Sequence, residues 1–264
     1  MLALVLALSL LLPTAGESAI KGSFTVWGMS AAFGPPTPLN LYDTSGVVLK
    51  SFTGAEPGGY CLAPTPVPGC NGRGVAVVHK QLWVSVVDSA FAGTGVIKQV
   101  DTTTGAVVAT IPDPCGSSGT GAMDDFRDDL LIACYNGFGS ANNLVFLIDA
   151  SGAVLGSCGL GPGQGNDTIA VRDGGRFLTD NGETPLDGVL TEYDVPSTVG
   201  TDPCTPTGTT YPVPAITGIS FVHGSPRLLG SHVLFIQDFG GPPYSAFEGE
   251  FLTGALIEDI AVSN

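Results

Sequence analysis

Val96–Ile111 reads VIKQVDTTTGAVVATI, and this stretch predicts a β-hairpin. β-Branched residues on both sides of Asp101–Gly105 favour strands, while the Asp and Gly of the segment favour a tight turn. The second half of the hairpin occurs four times in the chain. Its copies are Ser45–Phe52 (SGVVLKSF), Thr104–Ile111 (TGAVVATI), Ser151–Cys158 (SGAVLGSC) and Thr253–Ile260 (TGALIEDI).

The turn glycines of the four copies reveal a repeat. They lie at positions 46, 105, 152 and 254, at intervals of 59, 47 and 102 residues. The last interval equals two steps of 51, which leaves room for a unit whose hairpin has degenerated to Val195–Thr198. Repeats of roughly 40 to 50 residues with four strands each are typical of β-propellers. We therefore expect an all-β propeller of five four-stranded blades, with six blades, one of them degenerate or missing, as the alternative.

The repeat also predicts the organisation of the chain. We expect a signal peptide at residues 1–18 and a propeller domain at 19–264, with units at 19–58, 72–114, 120–161, 166–206 and 216–264. The apolar run Leu2–Leu12 and the small residues after it favour secretory cleavage, although no Lys or Arg precedes the run. The first unit supplies only three clear strands, and Ile20–Lys21 is a candidate for the missing one.

Two stretches of the second unit, GVAVVHKQLWVSVV and VIKQVDTTTGAVVATI, resemble the blades of secreted NHL-like and YVTN (quinoprotein-like) propellers. These families share an apolar inner strand, a short turn, an L-[WY]-V strand and a D-x-x-[ST]-G hairpin. The resemblance implies a propeller over almost the whole mature chain. It implies no particular activity, because many unrelated functions share such blades.

Composition excludes several classes of partner. The chain has 9 Lys and Arg against 24 Asp and Glu, a formal charge of −15. Such a surface repels nucleic acid and anionic membranes. With 44 % hydrophobic and 12 % charged residues, the chain is suited to a packed core. We expect a monomer, secreted to the extracellular space or periplasm, without a membrane span after signal cleavage.

Six cysteines in an exported chain favour disulfides over metal thiolates. Cys61 and Cys70 flank a Pro- and Gly-rich loop and are the pair that the sequence favours. The other four leave three pairings open: Cys115, Cys134, Cys158 and Cys204.

Oxygen-bearing side chains recur where second strands end. In a four-stranded blade the turns after strands two and four open on the same face, where propeller ligands commonly bind. The candidates for a metal or polar ligand are Asp88, Asn136, Asp180, Asn181 and Asp238. Carboxylate and amide oxygens suit hard cations, so this ring would suit Ca²⁺ or Mg²⁺, and Ca²⁺ is the cofactor that we expect if the ring binds a metal.

A structural interpretation of the same residues stays open, because Asp and Asn side chains commonly hydrogen-bond the backbone of their own turn. Turn chemistry also explains Asp43, Asp101, Asp149 and Asp194 at the opposite end of the blade. The acidic cluster of residues 124–129 lacks the spacing of a calcium loop. Asn166–Thr168 is a glycosylation sequon in a eukaryotic host.

Catalysis finds little support in the sequence. No G-x-S-x-G, H-E-x-x-H or phosphate-binding loop is present. We predict a binding or scaffold module that presents its Asp/Asn-rich face to a small polar ligand, a glycan or an extracellular protein. The alternative is a divalent-metal-dependent hydrolase, similar to a calcium-dependent lactonase, with the metal at the channel mouth. A lactonase of that type would need a Glu ligand on an inner strand, and these strands carry none.

Overall fold

In a computed structural model, the chain is built from antiparallel β-strands. The structure describes residues 25–29, 38–43, 47–90, 92–134, 143–161, 169–172, 174–180, 189–212, 227–229, 232–237, 244–250 and 256–262. Within these ranges the one helical segment is a 3-10 turn at Gly116–Ser118, and no helix is long and apolar enough to cross a membrane. The strands form five sheets, in each of which consecutive strands are neighbours.

The first sheet has three strands and the second has four. Sheet 1 contains β1 (Thr25–Met29), β2 (Leu39–Asp43) and β3 (Val48–Phe52). Sheet 2 contains β4 (Asn71–Val78), β5 (Gln81–Val87), β6 (Val96–Val100) and β7 (Val107–Pro112). The pair β6–β7 is therefore the hairpin that the sequence of Val96–Ile111 predicts.

Sheets 3, 4 and 5 repeat the four-stranded plan. Sheet 3 contains β8 (Thr120–Phe126), β9 (Asp129–Cys134), β10 (Leu144–Ile148) and β11 (Val154–Gly159). Sheet 4 contains β12 (Ala170–Arg172), β13 (Arg176–Asp180), β14 (Val189–Asp194) and β15 (Pro206–Pro212). Sheet 5 contains β16 (Arg227–Leu229), β17 (His232–Gln237), β18 (Tyr244–Glu250) and β19 (Leu256–Val262).

The prediction of an all-β chain made of four-stranded antiparallel units is confirmed by these four sheets. One boundary differs from the sequence-based unit. Sheet 4 continues to Pro212, beyond the expected end at residue 206, because a long connection and then β15 follow β14 where the other units have a tight hairpin.

The cores lie between successive sheets. Leu82, Val84 and Val86 of β5 face a cluster shared with sheet 1, while Trp83 on the opposite face packs with sheet 3. A third cluster joins sheets 3 and 4 around Phe177. Because neighbouring residues of β5 are buried on opposite faces, the strand has no polar alternation, as is usual for a strand covered on both sides.

The first strands of sheets 2 to 5 lie side by side in chain order. β4 contacts β8, β8 contacts β12, and β12 contacts β16. β1 of the three-stranded sheet contacts β4. The sheets therefore follow one another in chain order, and the first strand of each sheet lies next to the first strand of the following sheet.

Turn aspartates organise the repeated hairpins. Asp101 Oδ1 accepts hydrogen bonds from the Thr103 N–H (3.0 Å), the Thr104 N–H (2.7 Å) and the Thr104 hydroxyl (2.9 Å). Asp149 Oδ1 accepts from the Ser151 hydroxyl at 2.6 Å and from the Ser151 N–H at 2.8 Å. The Thr104 and Ser151 side chains, followed by the backbone donors, hold the pKa of each carboxyl below its usual value. For Asp101 and Asp149 the assignment to turn chemistry is confirmed.

Gly105 completes the turn of the β6–β7 hairpin. Its φ of +77° lies in the left-handed region, and a Cβ at this position would come within 2.5 Å of the Phe52 ring of sheet 1. The glycine therefore serves both the turn and the contact between two sheets.

Three disulfides are formed in the structure. Cys61 bonds to Cys70, the pair that the sequence favours. Of the three pairings left open for the remaining cysteines, the structure forms Cys115–Cys134 and Cys158–Cys204. The last one links the end of β11 to the connection between β14 and β15, and so joins sheet 3 to sheet 4.

That connection, residues 195–205, covers the outer edge of β11. The Ser157 N–H donates to Thr198 O (2.9 Å) and the Gly159 N–H donates to Asp202 O (2.9 Å). The Ser157 hydroxyl also donates to Gly200 O at 2.6 Å and accepts from the Gly200 N–H at 2.9 Å. An edge strand that would otherwise be open to other chains is therefore paired within the molecule.

The acidic cluster at residues 124–129 is divided by the fold. Asp124 is buried and accepts hydrogen bonds from the Val171 N–H of β12 (2.8 Å) and the Asp125 N–H (2.9 Å). Asp128 lies in the exposed β8–β9 turn, 3.5 Å from His79 Nδ1. Burial, and after it the Asp149 and Asp128 carboxylates, raise the pKa of Asp129. Asp124 therefore stabilises the contact between sheets 3 and 4.

Candidate functional site

Two of the predicted ligand residues lie at the ends of second strands. Asp88 comes directly after β5, and Asp180 is the last residue of β13, where its backbone pairs with Leu190. The two positions are thus equivalent ends of different sheets. Asn136, Asn181 and Asp238 lie outside the described residues.

Asp88 shapes its own loop. Its Oδ1 accepts hydrogen bonds from the Ala90 N–H (2.8 Å) and the Ala92 N–H (2.9 Å), and its own N–H donates to Ala92 O (3.0 Å). This is an Asx-type turn, in which the carboxylate replaces a backbone acceptor. One of the two oxygens predicted to bind a ligand is therefore engaged by the backbone.

The Asp88 loop is attached to the disulfide-closed loop of residues 61–70. The Ser89 N–H donates to Pro68 O at 2.9 Å, and a Cβ at Gly69 would come within 2.6 Å of Ser89 Cβ. Inside the closed loop, the Val67 N–H donates to Cys61 O at 2.9 Å. These contacts fix the position of one loop against the other.

A third loop, residues 113–119, packs on the opposite side of the Asp88 loop. The Gly93 N–H donates to Ser117 O (2.8 Å), and a Cβ at Gly93 would overlap the carbonyl oxygen of Gly116. We call the described residues of the three loops, 61–70, 88–90 with 92–95, and 113–119, the loop platform. It lies at the end of sheet 2 where β5 and β7 end and β4 begins.

Asp113 is the buried carboxylate of the platform. It accepts hydrogen bonds from the Cys115 N–H (2.9 Å), the Thr120 N–H (3.1 Å) and the Thr120 hydroxyl (3.0 Å). Burial nevertheless raises the pKa of the Asp113 carboxyl, which these hydrogen bonds lower in part. The Cys115–Cys134 disulfide ties the same loop to the end of β9. Asp113 therefore organises the loop and is not displayed to solvent.

The platform exposes a mixed surface. Its solvent-facing side chains are small, apolar or hydroxyl-bearing, and come from all three loops: Leu62, Pro64, Thr65, Pro66, Pro68, Ser89, Ala90 and Ser117. No group of three or more His, Cys, Asp or Glu side chains among the described residues is arranged to hold a metal ion. What the described part of this face offers is a shaped surface of apolar groups and hydroxyls.

Buried polar groups near the platform were missed by the sequence argument. Asn71, at the start of β4, is fully buried opposite Val87, and its side-chain amide has no hydrogen-bond partner among the described residues. Arg73 is buried in the bulge between Gly72 and Val75. The sequence could have indicated these buried polar residues, because Asn71 and Arg73 interrupt an otherwise apolar first strand (NGRGVAVV).

Two further buried charges lie within the sheets, on β6 and β14. Lys98 of β6 is 1 % exposed and donates to Tyr60 O, and burial lowers its pKa to about 8. Glu192 of β14 is fully buried and accepts from Arg172 (2.6 Å) and Arg176 (3.2 Å). Neither residue was singled out from the sequence.

The comparisons with known proteins leave the family open. No family model matches the sequence, and no curated protein matches it. Among solved structures, a protein of unknown function from Bacteroides caccae is 12 % identical, with 90 % of this chain and 72 % of that chain covered and a TM-score of 0.45. BamB from Moraxella catarrhalis is 13 % identical, with 90 % of this chain and 62 % of that chain covered and a TM-score of 0.41. At these values the matches identify neither a family nor a function.

Proposed function

We propose that the protein is a secreted, disulfide-stapled β-propeller that acts as a binding module. The loop platform is its binding surface, and the ligand is a small polar molecule, a glycan or an extracellular protein. The propeller itself, with five blades or with six of which one is degenerate, and the signal peptide at residues 1–18 are parts of the same proposal. Three disulfides support a location outside the cytoplasm, since such bonds persist in oxidising compartments.

One observation carries the proposal: three loops that differ from one another in sequence are joined to one another on one face. The Ser89–Pro68 and Gly93–Ser117 hydrogen bonds link them, the Cys61–Cys70 disulfide closes the first loop, and Cys115–Cys134 ties the third to the end of β9. A surface that is rigid before binding loses little conformational entropy when a ligand docks. The repeated hairpins resemble one another and cannot distinguish between ligands, whereas loops of different sequence on a rigid scaffold commonly carry binding sites.

A glycine substitution tests the proposal. Gly93→Ala places a methyl group against Gly116 and Gly119 and should push the platform loops apart. Gly161→Ala is the matched control, because a Cβ there has no neighbour within 4 Å among the residues that the structure describes. Full-length proteins would be compared on a glycan array and against the extracellular or periplasmic proteins of the source cells. We expect Gly93→Ala to lose a binding signal that Gly161→Ala keeps; equal binding by both variants contradicts the platform.

The calcium-dependent hydrolase is a separate proposal, supported by the equivalent positions of Asp88 and Asp180 at the ends of second strands. Calorimetric titration of the purified protein with Ca²⁺ tests it. Asp180→Ala should weaken binding more than Asp149→Ala, because Asp149 serves a hairpin turn. Absence of heat, together with unchanged stability in chelator, rejects the metal.

A further inference from the structure

We propose that the Cys61–Cys70 loop is the anchor of the platform, and that its partner is a protein with an apolar pocket bordered by lysine or arginine side chains. The inference rests on the proposed function and names the partner class and the contacting element. It follows from three properties of the loop: its fixed shape, its exposed apolar side chains and the sign of the charge around it.

The shape of the loop is fixed from inside and from below. The Cys61 N–H donates to Gly54 O (3.0 Å), the Leu62 N–H donates to Gly59 O (2.8 Å), and the Cys70 N–H donates to Val67 O (3.2 Å). Tyr60, which is fully buried beneath the loop, donates its hydroxyl to Phe52 O at 3.1 Å. Since these groups are already ordered, docking would immobilise few additional degrees of freedom.

The outer side of the loop is apolar. Leu62 is 43 % exposed, and it is the large exposed hydrophobic residue of the platform. Pro64, Pro66 and Pro68 are exposed beside it, while the disulfide below them is buried. A leucine held outward by a closed loop and flanked by prolines is suited to enter a pocket, where burial of its apolar surface would stabilise the complex.

The charge around the loop selects the partner. Residues 51–72 contain no Lys or Arg, and Glu56 is their only ionisable acidic residue. Asp88 lies at the neighbouring loop, whereas the basic side chains beside the loop, Arg73 and Lys98, are both buried. A formal charge of −15 attracts a basic protein and repels a second copy of this chain. The charge of the protein therefore favours a basic partner over self-association.

Photo-crosslinking of the full-length protein tests this. Thr65→p-benzoylphenylalanine places the probe on the loop without removing Leu62, and Ser117→p-benzoylphenylalanine places it elsewhere on the platform. Each protein would be irradiated with the extracellular or periplasmic fraction of the source cells, at low and high salt. Leu62→Asp is added as the disruptive change, and Val199→Asp as its control, because Val199 is 67 % exposed on a loop outside the platform.

We expect one adduct from Thr65 with a basic protein, reduced at high salt, about tenfold weaker with Leu62→Asp and unchanged with Val199→Asp. Urea unfolding of the Leu62→Asp protein should match that of the wild type. An adduct from Ser117 alone, or an adduct only with another copy of the chain, overturns the loop proposal and leaves the platform as a binding surface. The absence of adducts from both positions, together with an unchanged glycan-array signal in Gly93→Ala, rejects the platform as well.

Discussion

Removing the Cys158–Cys204 disulfide should destabilise the protein more than removing either of the other two. Cys158 and Cys204 are both buried, and the bond closes a segment of 46 residues between sheet 3 and the connection that covers β11. Replacing both with Ala keeps the surrounding hydrogen bonds, including the one from the Ser157 N–H to Thr198 O. The change therefore acts chiefly on the unfolded chain.

The magnitude follows from loop-closure entropy. For the 46-residue separation of Cys158–Cys204 the chain-entropy relation gives about 4 kcal/mol at 25 °C. For the 9-residue separation of Cys61–Cys70 it gives about 2.6 kcal/mol. The difference of about 1.4 kcal/mol isolates the effect of loop length, because all four cysteines are buried and each pair loses two sulfur atoms.

The assay is urea unfolding of the two double-alanine variants beside the wild type, followed by fluorescence and circular dichroism. We expect the free energy of unfolding to fall furthest for Cys158→Ala with Cys204→Ala. An equal or smaller loss than that of the Cys61–Cys70 variant would show that the β11 cover remains ordered in the unfolded state or contributes no long-range constraint. Either outcome would refute the loop-length argument.

Three further predictions concern buried and turn residues. Burial lowers the pKa of Lys98 from 10.5 to about 8, so between these pH values the unfolded chain still holds a proton that the folded protein has lost. The free energy of unfolding should therefore rise by about 2 kcal/mol from pH 8 to pH 10. Urea titrations across this range should show the rise in the wild type, and Lys98→Met should remove it. Glu192→Gln should lower the free energy of unfolding by about 2 kcal/mol, because the Glu192 carboxylate is fully buried between two partly exposed arginines. Asp194→Asn removes an exposed ion pair of 4.0 Å and should lower it by less than about 0.5 kcal/mol. Equal losses of stability in thermal unfolding would contradict the role of burial. Gly105→Ala should destabilise the protein by about 2 kcal/mol, because Gly105 has a positive φ and a Cβ there would also meet the Phe52 ring. Gly95→Ala should cost about 1 kcal/mol, because Gly95 also has a positive φ but a Cβ there has no neighbour within 4 Å among the described residues. The same loss of stability in both variants would show that the steric contact at Gly105 relaxes.

The repeated hairpin predicted the fold because its information is local. Asp101 and Gly105 determine a turn through contacts within five residues of each other, so the same residues can be recognised wherever they recur. β15, the last strand of sheet 4, has no such local turn pattern before it. Pro206–Pro212 follows a connection whose course is set by hydrogen bonds to β11, some 40 residues earlier, and no local pattern encodes such a partner.

The candidate site was predicted less fully for a related reason. Asp88 was placed correctly at the end of a second strand, but the sequence cannot distinguish a carboxylate that faces a ligand from one that accepts Ala90 and Ala92 N–H groups. The platform depends on Ser89 meeting Pro68 and on Gly93 meeting Ser117, and each contact joins loops from separate connections. Contacts of this kind arise from packing and have no sequence period.

The division between repeated and unique residues explains where a function can lie in this chain. Turn residues such as Asp101 and Asp149 recur because each unit needs the same hairpin, and their carboxylates are occupied by their own backbone. A site built from them would be the same in every sheet and could distinguish no ligand. The loops at the other end differ in length, cysteine content and proline content, and three of them are locked together before any ligand arrives. The repeated geometry of the sheets thus supplies a rigid base, and specificity must come from the loops that the repeat does not constrain.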